Sequence, residues 1–305
     1  MAFRYINPGY ISLLDKNVVA TEIAGTTYSK TGVSFTQTNS NAGITIPNFA
    51  AGDDFWAKFD VYITESADIY FYVPSTEKCG MGLRIFADGT TRLDIYYYSK
   101  STSSVASPNN IIKLNEVNTI ILHVKLGSAA NSLWEVSING TVYQQSGYSM
   151  PYSTSYKNCA ILYATASIRF SNIIFSNEEI SSKEQCIALP INQTMTDMTT
   201  GASGIYIANA ANQSLLQSVD VAELIQTFGA NSAVTGIALF GNPAYKTAAG
   251  LANLTALSKA GDSVIEHDTL ALSGDSTALI VDGWRLSGVT ISDLQNMQFG
   301  WKVKE

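Results

Sequence analysis

Hydrophobic and polar residues alternate with a period of two along much of the first half of the chain. The clearest run is Asp54 to Ile63, where Phe55, Ala57, Phe59, Val61 and Ile63 fall on one face and Trp56, Lys58, Asp60 and Tyr62 on the other. Such a pattern predicts a strand with one buried face. Further strands are expected at Gly32–Gln37, Ile44–Pro47, Ala67–Val73, Gly82–Phe86, Thr91–Tyr98, Thr119–Lys125, Leu133–Ile138, Thr141–Gln144, Ala160–Ala166 and Ser167–Phe175. Asp88-Gly89 and Asn139-Gly140 supply the positive φ angles of tight hairpin turns. The segment Asn118–Tyr143 reads as a central hairpin, and many short strands at this spacing predict an all-β sandwich.

The pattern changes near residues 176–204. Ser176–Ile180 reads as a capped helical turn, and residues 181–204 as a linker. Beyond it a second, smaller β-sandwich unit with one or two short helices is expected over 205–305. Its helix is placed at Asp220–Gly229, capped by Asp220 and stopped by Gly229. Strands are expected at Leu215–Val219, Val234–Phe240, Ser263–His267, Ala278–Val281, Val289–Ile291 and Gln298–Val303, with a turn at Gly241-Asn242-Pro243. Residues 1–30 read as an arm and first strand, and 31–180 as the sandwich. Two cores in 305 residues agree with the size at which single cores stop growing.

Composition narrows the function. Only 14% of residues are charged and the net charge is −7, with no basic run. Nucleic-acid binding is therefore not expected, since it needs clustered cations. No apolar run reaches membrane-spanning length and the N-terminus lacks an apolar leader, so the expectation is synthesis in the cytosol without export. Three cysteines without a CxxC pair argue against a zinc site or a disulfide framework.

Catalytic material is scarce. The histidines are His123 and His267. His123 lies within an apolar strand and reads as a satisfied sheet residue. In Glu266-His267-Asp268 both carboxylates point away from the imidazole's face. Glu135 and Asp94 stand alone in their strands, whereas glycoside hydrolysis needs a facing carboxylate pair. No enzyme activity is expected. The positive signal is tyrosine near loops 99–110 and 145–158: Tyr97, Tyr98, Tyr148, Tyr152 and Tyr156, with Asn158. A tyrosine offers a flat apolar ring and a hydroxyl to a sugar. The same residues would equally serve as cover for sheet ends or as subunit contacts.

The runs Gly43–Pro47, Phe55–Tyr62, Asn118–Val124, Leu133–Gly140 and Ile168–Ser176 resemble the concanavalin A-like/laminin-G jelly-roll family over about residues 30–180. The resemblance implies a jelly-roll sandwich and carbohydrate contact. It also implies calcium as cofactor, for which the sequence places no ligand set. Residues 205–305, through Val234–Ile237, Gly241–Tyr245 and Phe299–Lys302, resemble domains of bacteriophage tail or virion proteins. That likeness implies a virion protein made in the host cytoplasm, a tail-associated adhesin or capsid decoration. Its partners would be host-surface carbohydrate or other virion proteins, in a homo-oligomer with a trimer favoured. The alternatives are a carbohydrate-active enzyme with unrecognised carboxylates, or a bacterial surface or scaffold protein.

Overall fold

The computed structural model describes residues 5–7, 20–24, 31–35, 44–47, 54–73, 79–88, 90–97, 100–106, 111–125, 133–146, 159–164, 168–202, 205–244, 246, 251–274 and 277–305. The chain divides into two compact units, essentially Phe3–Ile187 and Ala188–Glu305.

The first unit contains β1 (Tyr5–Asn7), β2 (Ala20–Ala24), β3 (Thr31–Phe35), β4 (Ile44–Pro47), β5 (Asp54–Tyr62), β6 (Ala67–Val73) and β7 (Cys79–Ile85). It continues with β8 (Thr91–Tyr97), β9 (Lys100–Ala106), β10 (Val117–Lys125), β11 (Leu133–Ile138), β12 (Thr141–Ser146), β13 (Cys159–Ala164) and β14 (Arg169–Ser176). One sheet has eight strands, ordered β12-β11-β10-β5-β14-β3-β2 with β1 also on β14, and the other has six, ordered β4-β13-β6-β7-β8-β9. This is the expected jelly-roll sandwich. Its core joins Phe55, Phe59, Leu122, Trp134 and Phe175 of the larger sheet to Ile69, Phe71 and Leu83 of the smaller. The rings of Phe55 and Phe71 stack across the two sheets at 5.6 Å.

The central hairpin forms as the sequence indicates. Asn139 and Gly140 adopt φ of 51° and 84°, the signs a two-residue turn requires. Asn118 is fully buried. Its amide exchanges hydrogen bonds of 2.8 Å with both backbone groups of Lys113 and accepts another of 2.9 Å from Asn139 Nδ2.

Three local expectations are corrected. Residues 99–110, read as a polar loop, include β9, whose Ser-rich sequence pairs with β8 as an edge strand. Ser176–Ile180 is not helical: Ser176 Oγ accepts the Glu178 N–H at 3.0 Å and the chain bends. The outward face of β5 is not solvent-facing in its middle, since Lys58 is 0% and Asp60 1% exposed. A strap, residues 177–187, lies over it, with Ile180 and Cys186 packing on Ile174 and Trp56. A β-bulge between Ser171 and Ile174 holds Asn172 at φ 53°, and its side chain ties Asp60 to Gln185 and Cys186 of the strap.

The second unit contains β15 (Ile191–Thr196), β16 (Thr199–Thr200), β17 (Tyr206–Ile207), β18 (Ser214–Val219), α1 (Ala222–Phe228), β19 (Gly236–Ala244), β20 (Asn253–Ala260), β21 (Ser263–Ala271), β22 (Thr277–Arg285) and β23 (Met297–Lys304). A five-stranded sheet runs β15-β18-β23-β20-β21, beside ribbons β16-β17 and β19-β22. A 3-10 turn lies at Asp293–Asn296. Asp220 is not the cap expected of it: Val221 is the N-cap and makes no side-chain capping bond, while Asp220, one residue earlier, accepts the Ala222 N–H on Oδ1 at 2.9 Å. Gly229, at φ 89°, closes α1 through a bond to Ile225 O. β15 and β16 occupy part of the stretch read as a linker. Gly241-Asn242-Pro243 is not a turn but the irregular end of β19, where a register shift between Gly241 and Ala244 accommodates the proline. Val289–Ile291 is no strand; a single bridge joins Ala233 to Thr290.

Among the described residues the second unit's buried apolar side chains are Val221, Leu254, Ala256, Leu257, Ile291, Leu294, Phe299, Trp301 and Val303. Ile191, Ile205, Ile207, Val264 and Ile265 stay 46–57% exposed. His267 Nε2 lies 2.8 Å from Ser258 Oγ, while Glu266 bonds Lys302 and Lys304. Burial lowers the His267 pKa, partly offset by the charge of Asp268. A folded pKa below the unfolded one of about 6.5 means that the unfolded chain binds the extra proton more readily. This contribution to stability is complete above the unfolded pKa and is lost as pH falls through the folded pKa. The second unit's melting temperature is therefore expected to drop between about pH 7 and about pH 5, and His267→Gln to flatten that dependence in a calorimetric series.

Candidate functional site

The outward face of the six-stranded sheet carries the polar cluster best suited to a ligand. Along β6 the apolar Ala67, Ile69 and Phe71 point into the core, so the half-buried Asp68 and Tyr70 face out. Register places Asp68 opposite Arg84 of β7, and Arg84 opposite Arg92 of β8. The next row runs Tyr70, Gly82, Asp94. Gly82 therefore puts no side chain between its two neighbours.

Arg84 Nε donates to Asp68 Oδ1 at 3.2 Å, and the Tyr70 hydroxyl donates to Asp68 Oδ2 at 3.1 Å. Each side chain thus fixes the others. Burial and the adjacent Asp68 carboxylate raise the Tyr70 pKa, with Arg84 opposing them. The phenol accordingly stays protonated and serves as a donor. Carboxylate, guanidinium, hydroxyl and ring together match the alternating donors and acceptors of a polyol.

The residues singled out from sequence are only partly placed. Tyr97 ends β8 in this same sheet, opposite Lys100. Tyr98, Tyr148, Tyr152, Tyr156 and Asn158 lie outside the described residues. Sequence reasoning missed Asp68, Tyr70, Arg84 and Arg92. Their signal was the outward parity of ADIYFYV, GLRI and TRLD, but register was needed to bring them together.

A second cluster lies on the other sheet. The ring of His123 stacks on Trp56 at 4.0 Å, its Nε2 is 2.5 Å from Asp54 Oδ1 and its Nδ1 is 3.9 Å from Glu135 Oε1. His123 is thus a satisfied sheet residue, as its strand context indicates. Glu135, which stood alone in the sequence, has this histidine as its cross-strand partner. For the calcium that the jelly-roll resemblance implies, no group of three or more acidic, histidine or cysteine side chains able to hold a metal occurs among the described residues.

No protein-family model matches the chain, and no curated protein matches it. Several solved structures are similar to part of the chain. An endo-β-1,4-glucuronan lyase from the fungus Trichoderma reesei is 10% identical over 56% of this chain and 94% of that one, with TM-score 0.40. The carbohydrate recognition domain of Emp47p is 14% identical over 58% and 97%, at 0.38. A carbohydrate esterase from Shiga toxin-encoding bacteriophage phi24B is 11% identical over 52% and 87%, at 0.36. At such identities and scores these likenesses concern architecture alone, and the jelly roll rests on the sheet orders given above.

Proposed function

We propose that the chain is a non-enzymatic, glycan-contacting structural protein of a bacteriophage virion, an adhesin or decoration subunit. The observation that carries the glycan reading is the Asp68–Tyr70–Arg84 cluster on an outward sheet face. It combines a charged acceptor, charged donors and a ring, already held in place, so a sugar would meet them without ordering them first. Assembly falls to the second unit. A unit that among its described residues leaves Ile191, Ile205, Ile207, Val264 and Ile265 exposed gains burial for them from further copies of itself, and a trimer is the expected state.

Binding of the purified chain to a panel of bacterial surface polysaccharides tests the first part. Arg84→Ala and Tyr70→Ala are expected to weaken binding about tenfold, equivalent to about 1.4 kcal/mol, with the melting temperature of the first unit little changed. Retention of full affinity by both variants would move the site elsewhere. Light scattering tests the second part, and a monomer at high concentration would refute it. The enzymatic alternative is checked in the same panel: release of new chain ends, abolished by Glu135→Gln or His123→Ala, would replace the non-enzymatic reading.

A further inference from the structure

The covered part of the eight-stranded sheet holds a second, unrelated piece of chemistry. Lys58, fully buried, lies opposite Ile174 of β14; Asp60 lies opposite Ser171; and Asn172 stands in the bulge between those pairs. Neighbouring strands are about 4.8 Å apart, within the reach of a lysine stem. Both side chains converge on three consecutive strap residues. Lys58 Nζ donates to Glu184 O. Asn172 Nδ2 donates to Gln185 Oε1 at 2.9 Å, and Asn172 Oδ1 accepts the Cys186 N–H at 2.6 Å.

The hydrogen-bond inventory does not suit an ammonium. That group carries three N–H donors, yet among the described residues Nζ makes one hydrogen bond, to Glu184 O. A buried donor left without an acceptor costs about 1–3 kcal/mol, and more when charged. A secondary amide has one N–H and one carbonyl. Glu184 O satisfies the first and the Cys186 N–H the second.

We propose that Lys58 and Asn172 are joined by an intramolecular isopeptide bond, formed after folding with Asp60 as proton carrier. Asp60 takes a proton from the lysine, and burial, which lowers the Lys58 pKa, favours the free amine. Nζ attacks Cγ of Asn172, and the electron pair displaced onto Oδ1 is stabilised by the Cys186 N–H. Asp60 is held by Thr119 Oγ1 at 2.7 Å and accepts from Asn172 Nδ2 at 3.0 Å. From there it carries a proton from Nζ to Nδ2, the Cγ–Nδ2 bond breaks and ammonia leaves. Ammonium, carboxylate and primary amide thus become secondary amide, ammonia and a neutral carboxyl, and nothing is oxidised or reduced.

Mass spectrometry of the denatured full-length chain decides the matter. The expected mass is one ammonia below that of the sequence, and a tryptic digest should yield a branched peptide uniting the Lys58 and Asn172 segments, uncut after Lys58. Lys58→Met should return the chain to its sequence mass. A wild-type chain at sequence mass overturns the proposal. So does loss of ammonia without the branched peptide, the signature of a succinimide, or a loss that persists in Lys58→Met.

Discussion

Gly300→Ala is expected to unfold the second unit and leave the first standing. Gly300 sits in β23 between Leu216 of β18 and Leu257 of β20. A Cβ there would collide with the carbonyl oxygen of Leu215 and lie 2.8 Å from its carbonyl carbon and 3.0 Å from Leu216 Cα. All three are backbone atoms, so no side chain can swing aside. Relief requires β18 to separate from β23, which breaks the ladder Ser214–Ser218 against Gln298–Lys302. Overpacking commonly costs about 1–3 kcal/mol, and more where nothing yields. Against a total stability of about 5–15 kcal/mol for a domain, that is a large fraction. Urea titration should show the transition of the second unit lost or shifted strongly downward, with that of the first unmoved. Two unchanged transitions would mean that β18 is free to relax.

Trp134→Ala is expected to be the costliest single truncation in the sandwich, at about 3–5 kcal/mol. Trp134 is 0% exposed and fills the centre of the core from β11. Its indole Nε1 is buried without a hydrogen-bond partner, a defect worth about 1–3 kcal/mol. Trp134→Phe removes that donor while keeping most of the apolar ring, so it should cost far less than alanine. Denaturant midpoints of the two variants make the comparison. If phenylalanine proved as damaging as alanine, ring volume alone would decide, and the orphaned N–H would carry no energetic weight.

Much of the sandwich was legible because one face of each strand is buried. β10 and β11 alternate without interruption, and their buried positions are those the period of two picks out. The Asn139-Gly140 turn was equally plain. Where both faces are covered, the signal disappears. β20, buried through Leu254–Ser258, reads as an undifferentiated NLTALSKA and went unnoticed. The middle of β5 kept its alternation, but the inference drawn from it failed, because Lys58 and Asp60 face a strap rather than water. The candidate site was missed for a related reason. The sequence signal for a ligand lay in loop tyrosines, whereas Asp68, Arg84 and Arg92 come from three strands and meet only through pairing register. No pattern within one strand encodes that register.

The strap also gives the molecule a mechanical order of events. Residues 177–187 are the last of the first unit, and the chain passes from Ile187 directly into the second. Tension applied through the second unit would therefore reach the strap before any strand of the jelly roll. The hydrogen bond from the Cys186 N–H to Asn172 Oδ1, which survives in the linked amide, would carry that load first. It anchors the strap at β14, which pairs with β5 in the interior of the eight-stranded sheet. Such a pull would thus peel a short segment from the sheet before it could strip a strand. With Lys58 linked to Asn172, the adjoining strands β5 and β14 would be bolted together beneath that point and would yield last.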